Sequence, residues 1–412
     1  MTVAAIDPAR LLGRLEQFAA IGGTPAGGVD RQALTAGDRQ ARALLAELAR
    51  ARGFAVTQDA MANLFVRREG RDKDTPPLLI GSHLDTQPTG GRYDGALGVL
   101  TAFEVLEAIE DAGVETAGSL EVVSWTNEEG SRFAPGAMGS QAFAEGAIPA
   151  VWADLSGRDG AAFAGELQAT LDALPVAMRP LGTPLSAYLE LHIEQGPVLE
   201  REQIPIGVVS GVQGTTWLEV TFTGRAAHAG TTPFAFRHDP MVAAVSLLKV
   251  LQDSVMPNDA DARLTVGRIS ALPGSVNAIP GSVTFSLDIR HPRAERLAEL
   301  EAHVRTLASG FAATQGCTAD VVKTLDMVPV AFDETLLVAI EDAAAKTHHR
   351  CRRILSGAFH DALFIARLAP AAMLFVPSRD GLSHNEAEFT EPADCVAGAE
   401  VLLETVLGLA AG

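Results

Sequence analysis

The sequence predicts an α/β domain that is interrupted by an inserted α+β domain. Short apolar segments alternate with helical segments in the first half of the chain and again near its end, which is typical of a sheet covered by helices on both faces. Between these regions, segments that alternate apolar and polar residues indicate half-buried antiparallel strands. We expect the outer domain to comprise residues 1–210 and 328–412, and the inserted domain residues 211–327.

Hydrophobic spacing and helix stops define the elements of the outer domain. The first ~60 residues are expected to be helical, and Ala36–Gly53 has apolar residues at helical spacing before a terminal glycine. Short apolar segments with polar exits predict buried strands at Pro77–Gly81, Leu120–Trp125, Tyr188–His192 and Ala372–Val376. Further helices are predicted at Ala96–Glu110 and from Pro392 onward.

The inserted domain has a different pattern. Alternating residues predict antiparallel strands at Trp217–Thr223, Arg263–Ile269 and Val283–Ile289. Helices are expected at Pro240–Gln252 and Pro292–Ala313. Two helices on one side of an antiparallel sheet form an α+β unit of ordinary domain size.

Composition excludes several classes of protein. Asp and Glu number 51 against 32 Lys and Arg, a net charge of −19, which repels nucleic-acid phosphates and anionic membrane surfaces. The three cysteines form no CxxC pair, so neither a disulfide framework nor a zinc finger is expected. No segment has the apolar length of a signal peptide or membrane span. We therefore expect a soluble, cytoplasmic protein that binds neither nucleic acid nor membrane.

Polar clusters follow the predicted strands of the outer domain. They are His83 with Asp85, Asp94 among glycines, Glu128 with Glu129, His192 with Glu194, and Ser383-His384-Asn385. Each cluster alone is more typical of an ordinary surface, core or turn position than of a ligand. In open α/β sheets, however, ligands bind at the carboxyl ends of the strands, and imidazoles and carboxylates are the groups that divalent transition metals bind. Five clusters on one edge therefore predict a metal site.

These motifs make the chain recognisable: it resembles the M20 metallopeptidase clan and, within it, the hydantoinase/carbamoylase subfamily. The stretches that carry the resemblance are GSHLDTQPTGGRYDGALGVL (81–100), TNEEGSRF (126–133), LHIEQGPVLE (191–200), GRAAHAGTTP (224–233), GSVNAIPG (274–281), LDIRHP (287–292), SGAFHDA (356–362) and VPSRDGLSHNEAE (376–388). The resemblance implies a phosphorylase/hydrolase-like catalytic domain, with a mixed sheet flanked by helices. It also implies a ferredoxin-like insertion of four antiparallel strands and two helices that serves as lid and dimerisation domain.

The resemblance implies two divalent metal ions in each subunit. The implied ligands are His83, Asp94 and His192 for one ion, and Asp94, Glu129 and His384 for the other. His192 stands where peptidases of the clan more often carry a carboxylate, which favours a carbamoylase. Asp85 is implied to orient the His83 imidazole. Zinc is the expected ion, and manganese, cobalt and nickel are the alternatives.

The resemblance also implies roles in catalysis and substrate binding. Glu128 would be the general base. His228 would reach the site from a partner subunit, stabilising the oxyanion and implying a homodimer. Arg290 would hold the substrate carboxylate with its planar fork. The other implied substrate-binding residues are Gln195, Asn277 and His360.

Hydrolysis of a carbamoyl C–N bond is the expected reaction, with release of ammonia and carbon dioxide from a small ureido carboxylate. The sequence does not distinguish an N-carbamoyl-L-amino acid, N-carbamoyl-β-alanine and allantoate. The alternatives are an aminoacylase or dipeptidase of the same clan, or an inactive protein that binds a ureido compound or metal. The chain departs from the usual residues at Ala62, Phe234 and Phe359, where glycine, methionine and glycine are more common. The two phenylalanines leave the size of the substrate open.

Overall fold

A computed structural model describes residues 3–411, which divide into two compact units. The first unit runs up to Gly211 and resumes at Ala331, and the second comprises Val212–Val330. Within residues 3–411, no helix is both long enough and apolar enough to cross a bilayer.

The helices and strands follow one another along the chain as two series. The helices are α1 (Pro8–Ala19), α2 (Ala36–Ala51), α3 (Ala96–Asp111), α4 (Met138–Glu145), α5 (Phe163–Ala173), α6 (Val198–Glu202), α7 (Pro240–Ser254), α8 (Ala294–Thr314), α9 (Glu334–Lys346), α10 (Asp361–Ile365) and α11 (Pro392–Ala410). The strands are β1 (Ala55–Gln58), β2 (Leu64–Arg68), β3 (Leu78–His83), β4 (Leu120–Trp125), β5 (Ala177–Met178), β6 (Ala187–Ile193), β7 (Ile206–Val212), β8 (Gly214–Thr223), β9 (Ala227–His228), β10 (Arg263–Leu272), β11 (Ala278–Ile279), β12 (Ser282–His291), β13 (Thr318–Met327), β14 (Val330–Ala331), β15 (Cys351–Ser356) and β16 (Ala371–Val376).

One mixed sheet forms the centre of the first unit, with strand order β14-β7-β16-β6-β3-β4-β2-β1-β5 and β15 paired to β7. Strands β4, β3, β6 and β16 run parallel, and every residue in them is buried. Strands β2 and β7 add antiparallel neighbours. The predicted mixed α/β fold is confirmed, and the carboxyl ends of the four parallel strands meet at one edge.

Helices that pack on the central sheet explain why its strands have continuous apolar sequences, and α3 is the main example. It follows β3 in the chain, packs against β3 and β6, and is buried along nearly its whole length. Helix α11 also contacts α3 and β16 with an almost entirely apolar sequence. Successive residues of a strand point to opposite faces, and every residue of these strands is buried, so both faces of the sheet exclude water here.

The expectation of an entirely helical N-terminal region was wrong, because Ala55–Gln58 forms β1. This strand pairs antiparallel with β2 and has only one buried residue, Gln58. A four-residue strand that is mostly half-exposed carries little hydrophobic periodicity.

The second unit contains a four-stranded antiparallel sheet of order β10-β12-β8-β13. Helices α7 and α8 contact each other and the sheet, and share one core with the inward side chains of the strands, such as Phe222 and Phe285. Burial alternates at every residue along β12, as expected of a strand with one covered face. A separate short pair, β9 with β11, places Ala278 opposite His228.

Candidate metal centre

The carboxyl edge of the central sheet brings together residues that are far apart in sequence. His83 is the last residue of β3, and His192 is the penultimate residue of β6. Glu128 and Glu129 follow the end of β4, and His384 lies in the connection after β16. Asp94 lies just before α3. The topology that makes these strands parallel therefore makes their polar exits neighbours.

Two sets of candidate ligand atoms share Asp94. In the first set, Nε2 of His192 lies 3.1 Å and Nε2 of His83 lies 3.6 Å from Oδ1 of Asp94. In the second, Nε2 of His384 lies 3.5 Å from Oδ2 of Asp94 and 3.4 Å from Oε2 of Glu129. Each set gathers its ligand atoms within 4.8 Å of one another. Asp94 thus directs one carboxylate oxygen to each set.

Glycine at position 95 allows this close approach. Gly95 has φ of 63°, a left-handed conformation that favours glycine. A Cβ at this position would lie 2.4 Å from the His83 ring. Only a residue without a side chain lets the turn that carries Asp94 pack directly on the imidazole.

Hydrogen bonds at Nδ1 fix the tautomers of the two buried histidines. Nδ1 of His83 lies 2.9 Å from the backbone oxygen of Asp85, and Nδ1 of His192 lies 2.9 Å from that of Ile193. A carbonyl oxygen only accepts, so Nδ1 carries the hydrogen and Nε2 keeps its lone pair. Nε2 of His192 is buried and has no hydrogen-bond partner. These residues fit a divalent cation, which would satisfy this nitrogen.

The charges of the site point the same way. Burial, together with nearby carboxylates, raises the pKa of Glu128 and of Glu129 well above the ordinary value. Burial also lowers the pKa of His83 to about 4, which keeps the ring neutral. Burial alone would raise the pKa of Asp94, but His192 and the other imidazoles hold it well below its usual range. A cation would offset this concentration of buried acidic groups.

The Asp94 carboxylate also favours a positive charge at the position that Nε2 of His192 faces. Burial would lower the pKa of His192, yet the attraction of the Asp94 carboxylate raises it to about 9. A proton and a metal ion would compete for this nitrogen, because each binds through its lone pair.

Asp85 supports the site differently from the expectation. Its carboxylate lies 3.8 Å from Nδ1 of His83, beyond hydrogen-bond distance, and the backbone oxygen of Asp85 orients the imidazole instead. The two carboxylate oxygens accept the backbone N–H groups of Glu128 and Glu129 at 3.3 and 3.2 Å. Asp85 therefore connects the loop after β3 to the loop after β4.

Gln87 and Glu388 were not singled out from the sequence, and Ser383 was named only within a polar cluster without a role, although all three contact the ligand sets. Gln87 donates from its backbone N and from Nε2 to the two carboxylate oxygens of Glu129, at 3.0 and 2.7 Å. Ser383 donates to Oδ2 of Asp94 at 2.8 Å, and Glu388 accepts the backbone N–H of Asp94 at 3.1 Å. All three fall within the quoted motifs, but only the folded geometry assigns their partners.

Two of the expected substrate-binding residues contact the candidate ligands. Gln195 donates from Nε2 to Oδ2 of Asp94 at 2.9 Å, while its buried Oε1 has no hydrogen-bond partner. His360 is fully buried, its Nε2 lies 2.8 Å from Oγ of Ser356, and its ring centroid is 4.6 Å from that of His192. In this structure His360 supports His192 from the side.

The other three expected site residues lie in the second unit. His228 is exposed, and its Nδ1 accepts the backbone N–H groups of Gly230 and Thr231 at 3.0 and 3.2 Å. Nε2 therefore carries the hydrogen and is a donor. The backbone oxygen of Asn277, in the turn just before β11, accepts from the N–H of Ala229 at 2.9 Å. Arg290 donates from Nε and Nη2 to the two carboxylate oxygens of Asp288, each at 2.9 Å.

An α/β sheet that gathers imidazoles and carboxylates at its carboxyl edge is an arrangement that metal-dependent hydrolases use. Within that class, the chain belongs to peptidase family M20/M25/M40, whose sequence profile matches residues 79–408. This confirms the resemblance found in the motifs.

Characterised relatives match along the whole chain. The chain is 39% identical over 410 residues to an N-carbamoyl-L-amino acid amidohydrolase of Geobacillus stearothermophilus, covering 99% of this chain and 100% of the relative. It is 34% identical over 409 residues to an allantoate amidohydrolase of Bacillus subtilis, covering 96% of each. A crystal structure of an amidase of the hydantoinase/carbamoylase family from Burkholderia multivorans is similar, with a TM-score of 0.93, 43% identity and 99% of both chains covered.

Proposed function

We propose that this protein is a metal-dependent amidohydrolase that cleaves the carbamoyl C–N bond of an N-carbamoyl amino acid or a related ureido carboxylate. The observation that carries the proposal is Asp94, which faces a separate set of candidate ligands with each carboxylate oxygen. The buried carboxyl group of Glu128 lies beside the first set, with Oε2 3.4 Å from Nε2 of His83. Relatives named for N-carbamoyl-L-amino acids and for allantoate support the reaction class.

The two donor sets would hold two divalent cations, and zinc, manganese, cobalt or nickel suits these ligands. When bound, such ions would supply Lewis-acid activation of a water molecule and of the substrate carbonyl. His83, Asp94 and His192 would hold one ion, and Asp94, Glu129 and His384 would hold the other.

Glu128 is the group that moves the proton. It takes a proton from the attacking water as the new C–O bond forms, and donates it to the leaving nitrogen as the C–N bond breaks. Burial and nearby acids raise the pKa of Glu128 well above the ordinary value, which makes its carboxylate a stronger acceptor of the proton. An amino acid, ammonia and carbon dioxide are the final products.

Residues of the second unit complete the proposed reaction. His228 of the partner subunit donates its Nε2–H to the oxyanion, a role that its tautomer supports. Arg290 binds the substrate carboxylate, and Asn277 adds a polar contact. We accordingly propose that the protein is a homodimer and that the second unit is a ferredoxin-like lid and dimerisation domain. We also propose that the protein acts in the reducing cytoplasm, where cysteines such as the three free ones of this chain stay unpaired.

An aminoacylase or dipeptidase is the second candidate, since the family profile is named for peptidases. His192 and the named relatives favour the carbamoyl substrate. Glu128 argues against a non-catalytic binding protein. A buried carboxyl group next to other acids destabilises the fold, and binding alone does not require such a group.

A product assay on the metal-loaded protein tests the proposal. We expect ammonia release from at least one of N-carbamoyl-L-amino acids, N-carbamoyl-β-alanine and allantoate, and none from N-acetyl amino acids or dipeptides. Release of a carboxylic acid or a second amino acid would establish the aminoacylase or dipeptidase instead. Metal binding without turnover of any of these compounds would overturn the enzymatic assignment.

A further inference from the structure

Phe359 places an aromatic ring beside the main chain of the proposed general base. The side chain lies in the connection between β15 and α10, and the residue is 39% exposed. Two of its ring atoms are 2.8 and 3.1 Å from the point where a Cβ on Gly136 would lie. The backbone oxygen of Glu128 is 2.4 Å from the same point. The glycine thus leaves the space in which the ring packs against the Glu128 loop.

The residues on both sides of Phe359 are anchored. Oγ of Ser356 donates to the backbone oxygen of Ala358 at 2.9 Å and accepts the N–H of Ala358 at 3.1 Å. The same Oγ lies 2.8 Å from Nε2 of His360. Since Ala358 and His360 share one hydroxyl partner, the backbone on both sides of Phe359 is held in place.

In sequence, Phe359 is adjacent to a residue that contacts a candidate metal ligand. His360, the next residue, is buried with its imidazole packed edge-on against His192. Phe359 by contrast is 39% exposed, with its ring beside the Glu128 main chain. The exposed ring is in contact with water, and covering it with an apolar group would lower the free energy of the system.

The substrate supplies that group if the proposed function is right, on which this inference rests. A carbamoyl carbon attacked under the control of Glu128 places the substrate α-carbon only two bonds away. Any side chain on that carbon is then close to the Glu128 loop. We propose that Phe359 is a specificity-determining residue that contacts this side chain and selects N-carbamoyl amino acids with large apolar side chains. N-carbamoylglycine, N-carbamoyl-β-alanine and allantoate carry no such group.

Substrate competition tests the inference directly. We expect the wild type to have a higher kcat/KM for N-carbamoyl-L-phenylalanine and N-carbamoyl-L-leucine than for N-carbamoylglycine, N-carbamoyl-β-alanine or allantoate. Phe359→Gly should reduce the phenylalanine-to-glycine ratio of kcat/KM by about tenfold or more, the scale of apolar discrimination in enzyme pockets. Phe359→Leu, which keeps an apolar side chain, should retain most of the preference and guards against loss of folding in the glycine variant. Val338→Ala, which removes an exposed apolar side chain (42%) on α9, is the matched control and should leave the ratio unchanged.

The outcomes separate the inference from the proposed function. A wild type that prefers N-carbamoylglycine, N-carbamoyl-β-alanine or allantoate would overturn the role of Phe359 while leaving the amidohydrolase intact. The role of Phe359 would also be overturned if the phenylalanine-to-glycine ratio of kcat/KM were unchanged in Phe359→Gly. The same holds if this ratio fell as much in the control Val338→Ala as in the Phe359 variants. Absence of ammonia release from every carbamoyl compound would instead refute the proposed function itself.

Discussion

Nε2 of His192 lies 3.1 Å from Oδ1 of Asp94, and it is buried without a hydrogen-bond partner. A buried nitrogen with a free lone pair is costly unless something satisfies it. The opposite oxygen of Asp94 lies 3.5 Å from Nε2 of His384, so the same carboxylate faces a second imidazole. This arrangement gives Asp94 a role in both donor sets that no other side chain of the site shares.

Metal content should therefore depend on Asp94 more than on any other ligand. We expect Asp94→Ala to lose both ions, whereas His192→Ala and His384→Ala should each retain one. Elemental analysis of the protein after dialysis against trace zinc or manganese measures this. The control is Asp253→Ala, which removes a carboxylate that is 60% exposed on α7 and should not change the metal content. Two ions retained by Asp94→Ala would rule out the shared-ligand arrangement.

Glu128→Gln separates catalysis from metal binding. Glutamine keeps the size of the side chain but cannot accept the proton, so kcat should fall by at least about 100-fold while both ions remain bound. Ammonia release and elemental analysis of the same preparation give the two readouts. Glu47→Gln, at an exposed position on α2, should behave as the wild type. Turnover that survives in Glu128→Gln would mean that another group moves the proton.

The sequence could predict the central sheet because its strands are short, apolar and buried on both faces. Strand β13 could not be located in the same way, since most of its residues are exposed or half-exposed and give little periodicity. The same contrast applies to the site. His83 and Glu129 stand in motifs that mark them, whereas Glu388 reaches Asp94 through a hydrogen bond across 294 residues of sequence. Such a contact becomes visible only when the fold brings the two segments together.

Arg290 binds the Asp288 carboxylate through Nε and Nη2, and we propose that it binds the substrate carboxylate with the same planar group. A lysine variant separates the effect of its charge from the effect of its shape. Arg290→Lys keeps the positive charge but loses the planar fork, so KM for an N-carbamoyl amino acid should rise about tenfold or more with little change in kcat. Steady-state kinetics of ammonia release measure both. Arg268→Lys alters an exposed arginine of the same sheet, paired with Glu219, and should leave KM unchanged. A fall in kcat without a rise in KM would contradict a clamp that binds ground state and transition state equally.

If His228 acts on the site of the partner subunit, its Nε2–H must be free to donate to a group outside its own chain. Its Nδ1 is occupied by two backbone N–H groups, so the Nε2–H donor points away from its own turn and is available to another group. We expect His228→Ala to lose about 100- to 1000-fold in kcat, as for other oxyanion donors. His238→Ala is the control, because the Nδ1 of His238 is bound instead to the backbone oxygen of Gly316.

Mixing two inactive variants then identifies the subunit that supplies the donor. If His228 acts on the partner's site, a mixture of Glu128→Gln and His228→Ala chains should regain about a quarter of the wild-type rate after subunit exchange. Random exchange makes half of the dimers mixed, and each mixed dimer of twofold symmetry contains one site with both residues intact. If His228 acted within its own chain, every site would lack one of the two residues, and the mixture would stay inactive. Sedimentation of the mixture must show dimers, because a monomer could not produce the recovery at all.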